Sequence, residues 1–205
     1  DITASEWQEN ALIALLPGSR RQEITVKLPV MLEAAKLFPS YRFIIAQAPG
    51  QPLSFYQELT AAYPNVWIAL SGQTYTLLTK AKAALVTSGT ATLETALFGV
   101  PQVVCYKGSA ISYQIARRLV KIKYISLVNL IMDKPVVKEL IQNELTVPNI
   151  QRELYAILHN EDRIGQIKAD YRELKSILQK EGDASARAAQ EIVGYLQATI
   201  ALKAG

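Results

Sequence analysis

The sequence predicts a doubly wound α/β domain, a parallel sheet covered by helices on both faces. Short, wholly apolar runs recur through the first two-thirds of the chain, such as Ala11-Leu12-Ile13-Ala14-Leu15-Leu16 and Ala83-Ala84-Leu85-Val86. Segments with helical spacing separate them. The runs also end in turns built from proline, glycine and small hydroxyl residues. Wholly apolar strands suit a sheet buried on both sides, and their alternation with helices calls for right-handed crossovers.

Taken in order, the run at residues 11–16 is a strand ended by Pro17-Gly18. Ile24, Leu28, Met31, Leu32, Ala35 and Phe38 then follow a helical spacing. Pro29 lies inside that pattern and removes one backbone donor, so the helix is expected either to kink or to begin nearer residue 29. Residues 41–46 read as a second strand, 53–63 as a helix stopped by Pro64, and 66–70 as a third strand. A short helix at 75–80 precedes the strand at 83–86. A helix at 90–98, then Gly99-Val100-Pro101, leads to a fifth strand at 102–106. Residues 111–124 form a basic amphipathic segment, and Lys138-Glu139-Leu140-Ile141-Gln142 reads as a helix start with Glu139 and Gln142 on one side.

From residue 150 to 204 the pattern is almost wholly helical, with its main break at Gly182-Asp183. The organisation expected is a linker at 1–10, one domain at 11–181, and a terminal helix at 182–205 that docks on another domain or subunit. A length of 205 residues suits one full core. The net charge of +4 favours anionic partners only weakly. Nucleic acid is not expected, because the basic residues cluster in one helix without interleaved aromatics. One cysteine, Cys105 in an apolar run, excludes a disulfide framework, and with the single His159 it leaves no zinc-type ligand set. No apolar stretch reaches membrane-spanning length and no signal peptide opens the chain, so a cytoplasmic protein is the default expectation.

Two loops stand where such domains bind ligands, beyond the carboxyl ends of strands. The first is Pro17-Gly18-Ser19-Arg20. Gly18 lets backbone approach a ligand, and Arg20 can grip phosphate oxygens through paired hydrogen bonds. It is neither a Walker loop nor a dinucleotide fingerprint. The second is Ser88-Gly89-Thr90-Ala91-Thr92-Leu93-Glu94, a strand end running straight into a helix start. Unpaired N–H groups and the helix dipole there suit a phosphate, and Glu94 can accept hydrogen bonds from sugar hydroxyls. A plain capped helix with a solvated Glu94, and Arg20 and Arg21 as surface charges, fit the same residues. Asn129, inside an apolar run, reads either as a buried turn residue or as a ligand contact. His159 reads as structural. The basic segment reads as a solvated helix face or as a contact to an anionic membrane.

Further motifs join these in order. They are Leu15-Leu16-Pro17-Gly18-Ser19-Arg20; the Ser88-to-Glu94 stretch; Pro101-Gln102-Val103-Val104 with Tyr106; Ala116-Arg117-Arg118-Leu119-Val120-Lys121; Tyr124-Ile125-Ser126-Leu127 with Asn129-Leu130; and Val137-Lys138-Glu139-Leu140-Ile141-Gln142. Together the set resembles lipid-A-disaccharide synthase. The resemblance implies a glycosyltransferase of the GT-B architecture, two Rossmann-like halves facing across a cleft, with this chain corresponding to the carboxyl-terminal half. Such enzymes transfer diacylglucosamine from UDP to diacylglucosamine 1-phosphate, form the lipid A disaccharide and need no metal or other cofactor.

Carried onto these residues, the resemblance implies that Gly18, Ser19 and Arg20 meet the diphosphate together with Ser88, Gly89 and Thr90. Glu94 binds the ribose, Gly72 and Gln73 lie near the uracil, and Asn129 belongs to the active-site cleft. Arg20 and Asn129 are then the catalytic candidates on this chain, and the general base lies in the absent half. The implied partners are UDP-diacylglucosamine or UDP, a lipid acceptor held through the other half, the inner face of the inner membrane, and a second copy met through the carboxyl-terminal helices. This chain alone is expected to lack transferase activity. Another GT-B UDP-sugar enzyme, or a non-catalytic nucleotide-binding or membrane-docking module, is the alternative.

Overall fold

The computed structural model describes residues 12–108 and 123–180. Its centre is a six-stranded, all-parallel sheet in the order β3-β2-β1-β4-β5-β6. The strands are β1 (Leu12–Leu16), β2 (Arg42–Ala46), β3 (Val66–Ala69), β4 (Ala83–Val86), β5 (Gln102–Tyr106) and β6 (Lys138–Ile141). The helices are α1 (Arg21–Ala35), α2 (Leu53–Thr60), α3 (Thr74–Lys80), α4 (Thr90–Leu97), α5 (Leu127–Met132), α6 (Val147–His159) and α7 (Glu161–Lys180). The expected doubly wound architecture is therefore present.

Both faces of the sheet are buried, and the two-residue period of the strands divides them. Ile13 and Leu15 of β1 belong to one apolar cluster with Leu28 and Met31 of α1 and Leu154 of α6. Leu12, Ala14 and Leu16 point to the other, with Leu77 and Leu78 of α3. This two-sided burial is why the strand sequences read as continuous apolar runs.

Two local expectations are corrected. Residues 138–141 form strand β6, in register with β5 from Val103↔Lys138 to Tyr106↔Ile141, and do not start a helix. A segment of four or five residues is too short for periodicity to separate helix from strand, and pairing with the open edge of β5 decides it. Glu139 and Gln142 consequently do not form a helical pair. The second concerns Pro29: of the two outcomes expected, the later start is excluded, because α1 already runs from Arg21 with Pro29 inside it. The carbonyl that loses its donor belongs to Thr25, an exposed residue, so water can take it.

The assigned linker at 1–10, most of the basic segment at 111–124 and the terminal helix at 182–205 lie outside the described residues. Among those described, no helix is long and apolar enough to cross a membrane.

Candidate anion site at the sheet switch point

The strand order places β1 between β2 and β4, so the chain leaves β1 in one direction and later returns on its other side. In open α/β sheets that reversal opens a crevice beyond the carboxyl ends of the two strands. Leu16, the last residue of β1, is paired with Val86, the last of β4. One step further, Thr87 N–H donates to the Leu16 carbonyl at 2.8 Å. The Gly18-Ser19-Arg20 loop and the Ser88-Gly89 turn therefore leave the sheet side by side, and the structure brings the two sequence-predicted loops together.

Both turns need glycine. Gly18 has φ 121° and Gly89 φ 120°, a region that side-chain-bearing residues rarely enter. Gly89, with ψ −160°, forms the N-cap of α4, and Arg20 forms that of α1; neither helix start carries a side-chain cap. α2 and α3, which also begin beyond strand ends, lack side-chain caps as well. By contrast, Ser126 caps α5 and Thr146 caps α6 through their hydroxyls. At α1 and α4 the first backbone donors, with the positive end of the dipole behind them, are thus left for solvent or an anion. Ser19, Arg20 and Thr90 are exposed, and Ser88 is half-buried.

Glu94 sits one turn into α4, half-buried, and its carboxylate has no hydrogen-bond or ion-pair partner among the described residues. Burial pushes its pKa above the ordinary carboxylate value. Gly72 (φ 86°) and Gln73 follow β3, two strands from β1, so they stand on the same sheet edge roughly 10 Å from the central loops by strand spacing. Gln73 N–H donates to Leu70 O at 3.1 Å, while its enclosed Oε1 has no partner among the described residues.

Asn129, on α5, is a buried amide with a full set of hydrogen bonds. It is 1% exposed. Its Nδ2 donates to Val137 O and to Glu139 Oε1, both at 2.9 Å, and its Oδ1 accepts from Val137 N at 2.9 Å. These bonds tie α5 to Val137, just before β6, and to Glu139 on it. Glu139 completes that network, accepting also from Ile125 N, Ser126 N and Ser126 Oγ. Gln142, with φ 52°, follows β6, and its Oε1 accepts from Gly108 N at 3.3 Å.

Lys27 was not singled out from the sequence. It lies on the buried side of α1 at 2% exposure, and its ammonium donates to Thr87 Oγ1. The signal was available, since Ile24, Lys27, Leu28 and Met31 share one helical face. On the opposite sheet edge, a depression of about 530 Å³ is lined by Phe38, Tyr41, Tyr155 and His159. There His159 stacks on Tyr155 at 4.5 Å and meets Tyr41 Oη at 3.3 Å, far from both loops.

The chain is similar to known proteins in sequence and in fold. The family model described as lipid-A-disaccharide synthetase matches residues 4–193. The lipid-A-disaccharide synthase of Syntrophus aciditrophicus is 41% identical over 171 residues, which are 81% of this chain and 45% of that protein. The one from Psychromonas ingrahamii is 39% identical over 191 residues, 90% of this chain and 49% of that protein. The chain spans about half the length of these curated relatives. In fold it is similar to the calicheamicin glycosyltransferase CalG4, with a TM-score of 0.60, 18% identity and 93% of this chain matched to 44% of that one. It is also similar to the spinosyn rhamnosyltransferase SpnG complexed with thymidine diphosphate, with a TM-score of 0.59, 16% identity and 84% of this chain matched to 44% of that one. A sheet wound as in these glycosyltransferases, and a sequence match running from before β1 to beyond α7, lead to one assignment: the chain belongs to the lipid-A-disaccharide synthase family.

Proposed function

We propose that this chain is the donor-binding half of a glycosyltransferase that moves diacylglucosamine from UDP to diacylglucosamine 1-phosphate, forming the lipid A disaccharide and releasing UDP. The observation that carries the reading is the adjacency of two uncapped helix starts at the β1/β4 switch point, one bearing Arg20 and the other followed by the unpartnered Glu94.

The chemistry follows from the charges. Breaking the bond between the sugar C1 and the β-phosphate oxygen leaves negative charge on the diphosphate. Backbone N–H groups after Gly18 and Gly89, the two helix dipoles and the Arg20 guanidinium can stabilise that charge as it develops. Ser19, Ser88 and Thr90 add hydroxyl donors. Glu94 accepts from the ribose hydroxyls, and Gly72 with Gln73 flanks the base. The solved structure of SpnG with thymidine diphosphate supports a nucleoside diphosphate as the ligand class for this fold.

Each of these residues is given to the donor here, Glu94 to the ribose included, and none is assigned to deprotonate an acceptor hydroxyl. In this reading the general base, the lipid acceptor and the membrane contact belong to the rest of the enzyme, and the 205-residue chain alone has no transferase activity.

Calorimetric titration of UDP tests the reading. The chain is expected to bind UDP, and Arg20→Ala and Glu94→Ala are each expected to weaken binding about tenfold or more, the scale of one hydrogen bond to a charged group. A folded chain that binds no UDP overturns the donor-site reading.

A further inference from the structure

Lys27 is a basic side chain buried on the inner face of α1, and the binding scheme above does not use it. It is 2% exposed among Ile24, Leu28 and Met31. The groups around its ammonium come from three places in the fold. Glu23 lies one turn earlier on α1, Thr87 follows β4, and Cys105 and Tyr106 lie on β5. The Tyr106 ring centroid is 5.9 Å from Nζ. For stability alone, an apolar side chain of similar length would fill this position without the desolvation penalty of a charge. The retained ammonium points to a task that needs it.

Its hydrogen bond goes to the residue that hinges the site. Thr87 is fixed to β1 through its N–H on Leu16 O, and the next two residues are Ser88 and Gly89. Glu23, one turn before Lys27, reaches the other loop: its Oε2 lies 2.6 Å from where a Gly18 side chain would begin. One turn of α1 thus touches both loops from behind.

We propose that Lys27 is a positioning residue of the anion site: its ammonium holds Thr87, and with it the Ser88-Gly89 turn, and sets one positive charge behind the phosphate that the two loops receive. This rests on the nucleoside diphosphate reading above. Burial lowers the Lys27 pKa below the ordinary lysine value, with the Glu23 carboxylate opposing the shift. The neighbouring Cys105 thiol is pushed up to about 12 by its own burial, so it stays neutral while Lys27 titrates. A diphosphate arriving nearby favours the charged ammonium, so binding takes up a proton in alkaline solution.

The test is UDP calorimetry between about pH 7 and about pH 10 on the 205-residue chain, comparing wild type with Lys27→Met, Lys27→Arg and Thr87→Val, with thermal unfolding in parallel. Wild-type affinity is expected to fall as pH rises through the lowered Lys27 pKa. Lys27→Met should bind about tenfold more weakly near neutrality, and this gap from wild type should close as pH rises through the lowered Lys27 pKa, the ionisation of the uracil being common to both. Lys27→Arg should recover most of the neutral-pH affinity and, staying charged, should keep it better than wild type as the pH rises. Thr87→Val keeps the ammonium but removes its acceptor. It should weaken binding severalfold, and it carries the test if Lys27→Met fails to fold. A folded Lys27→Met, or Thr87→Val in its place, with wild-type affinity and pH profile overturns the proposal while leaving the UDP site standing. No UDP binding by the folded wild type overturns both.

Discussion

Thr87 N–H donates to the carbonyl of Leu16 at 2.8 Å, and this bond makes one site of two loops that lie 70 residues apart in the sequence. It extends the β1–β4 ladder one step past the last paired residues, Leu16 and Val86. Beyond it both chains turn away through a glycine at positive φ into a helix with no side-chain cap.

Gly89→Ala is expected to destabilise the fold by about 1–3 kcal/mol through backbone strain, because φ 120° with ψ −160° is a region almost confined to glycine. Nothing lies within 4 Å of the added methyl, so the loss is conformational rather than a clash. Urea unfolding measures it, and UDP affinity should fall in the same variant.

Asn129→Ala should destabilise by about 1–3 kcal/mol or more, since it leaves the buried Val137 N–H unsatisfied and takes donors from Val137 O and Glu139. The same urea measurement applies. At temperatures where the variant stays folded, its UDP affinity should match that of wild type, which separates a structural asparagine from a ligand contact.

Glu94 should show an exchange of stability for binding. Its folded pKa is raised by burial, so the folded state holds its proton more tightly than the unfolded chain does. Stability from this group is therefore present below the unfolded carboxylate value, about 4.3, and is lost as pH rises through the raised folded value. Glu94→Gln removes that loss. It should be at least as stable as wild type at neutral pH by thermal unfolding, while binding UDP more weakly.

Cys105 is fully buried and its pKa is pushed up to about 12. A thiol-specific reagent at about pH 8 should label it only as fast as the protein opens, because the thiolate is the reactive form. Labelling should become rapid in denaturing urea, and Lys27→Met should not expose it in the folded state.

Much of this was legible in the sequence because two-sided burial leaves a simple trace. β1 through β5 appear as apolar runs, and Gly18 and Gly89 mark their exits. That both loops leave the carboxyl ends of strands was readable, whereas the pairing of β1 with β4 came only with the structure. Three features were not read, for different reasons. β6 is only four residues long, and its partner, the free edge of β5, is a tertiary fact. Asn129 carried two readings because an amide in an apolar run can serve a ligand or the fold. The position of Glu139 on β6, which follows from that same pairing, supplies one of its hydrogen-bond partners and could not be read from the sequence. Lys27 went unread because a lysine is ordinarily a surface residue, although its helical face already placed it inside.

The central claim is that the two loops receive one diphosphate, and backbone amide chemical shifts during a UDP titration test it most directly. The account predicts that residues 18–23 and 88–91 shift together with a single dissociation constant, and that uridine, which lacks the phosphates, leaves both segments largely unmoved. Shifts confined to one loop, or gathered instead around Tyr41, Tyr155 and His159 at the opposite sheet edge, would contradict it.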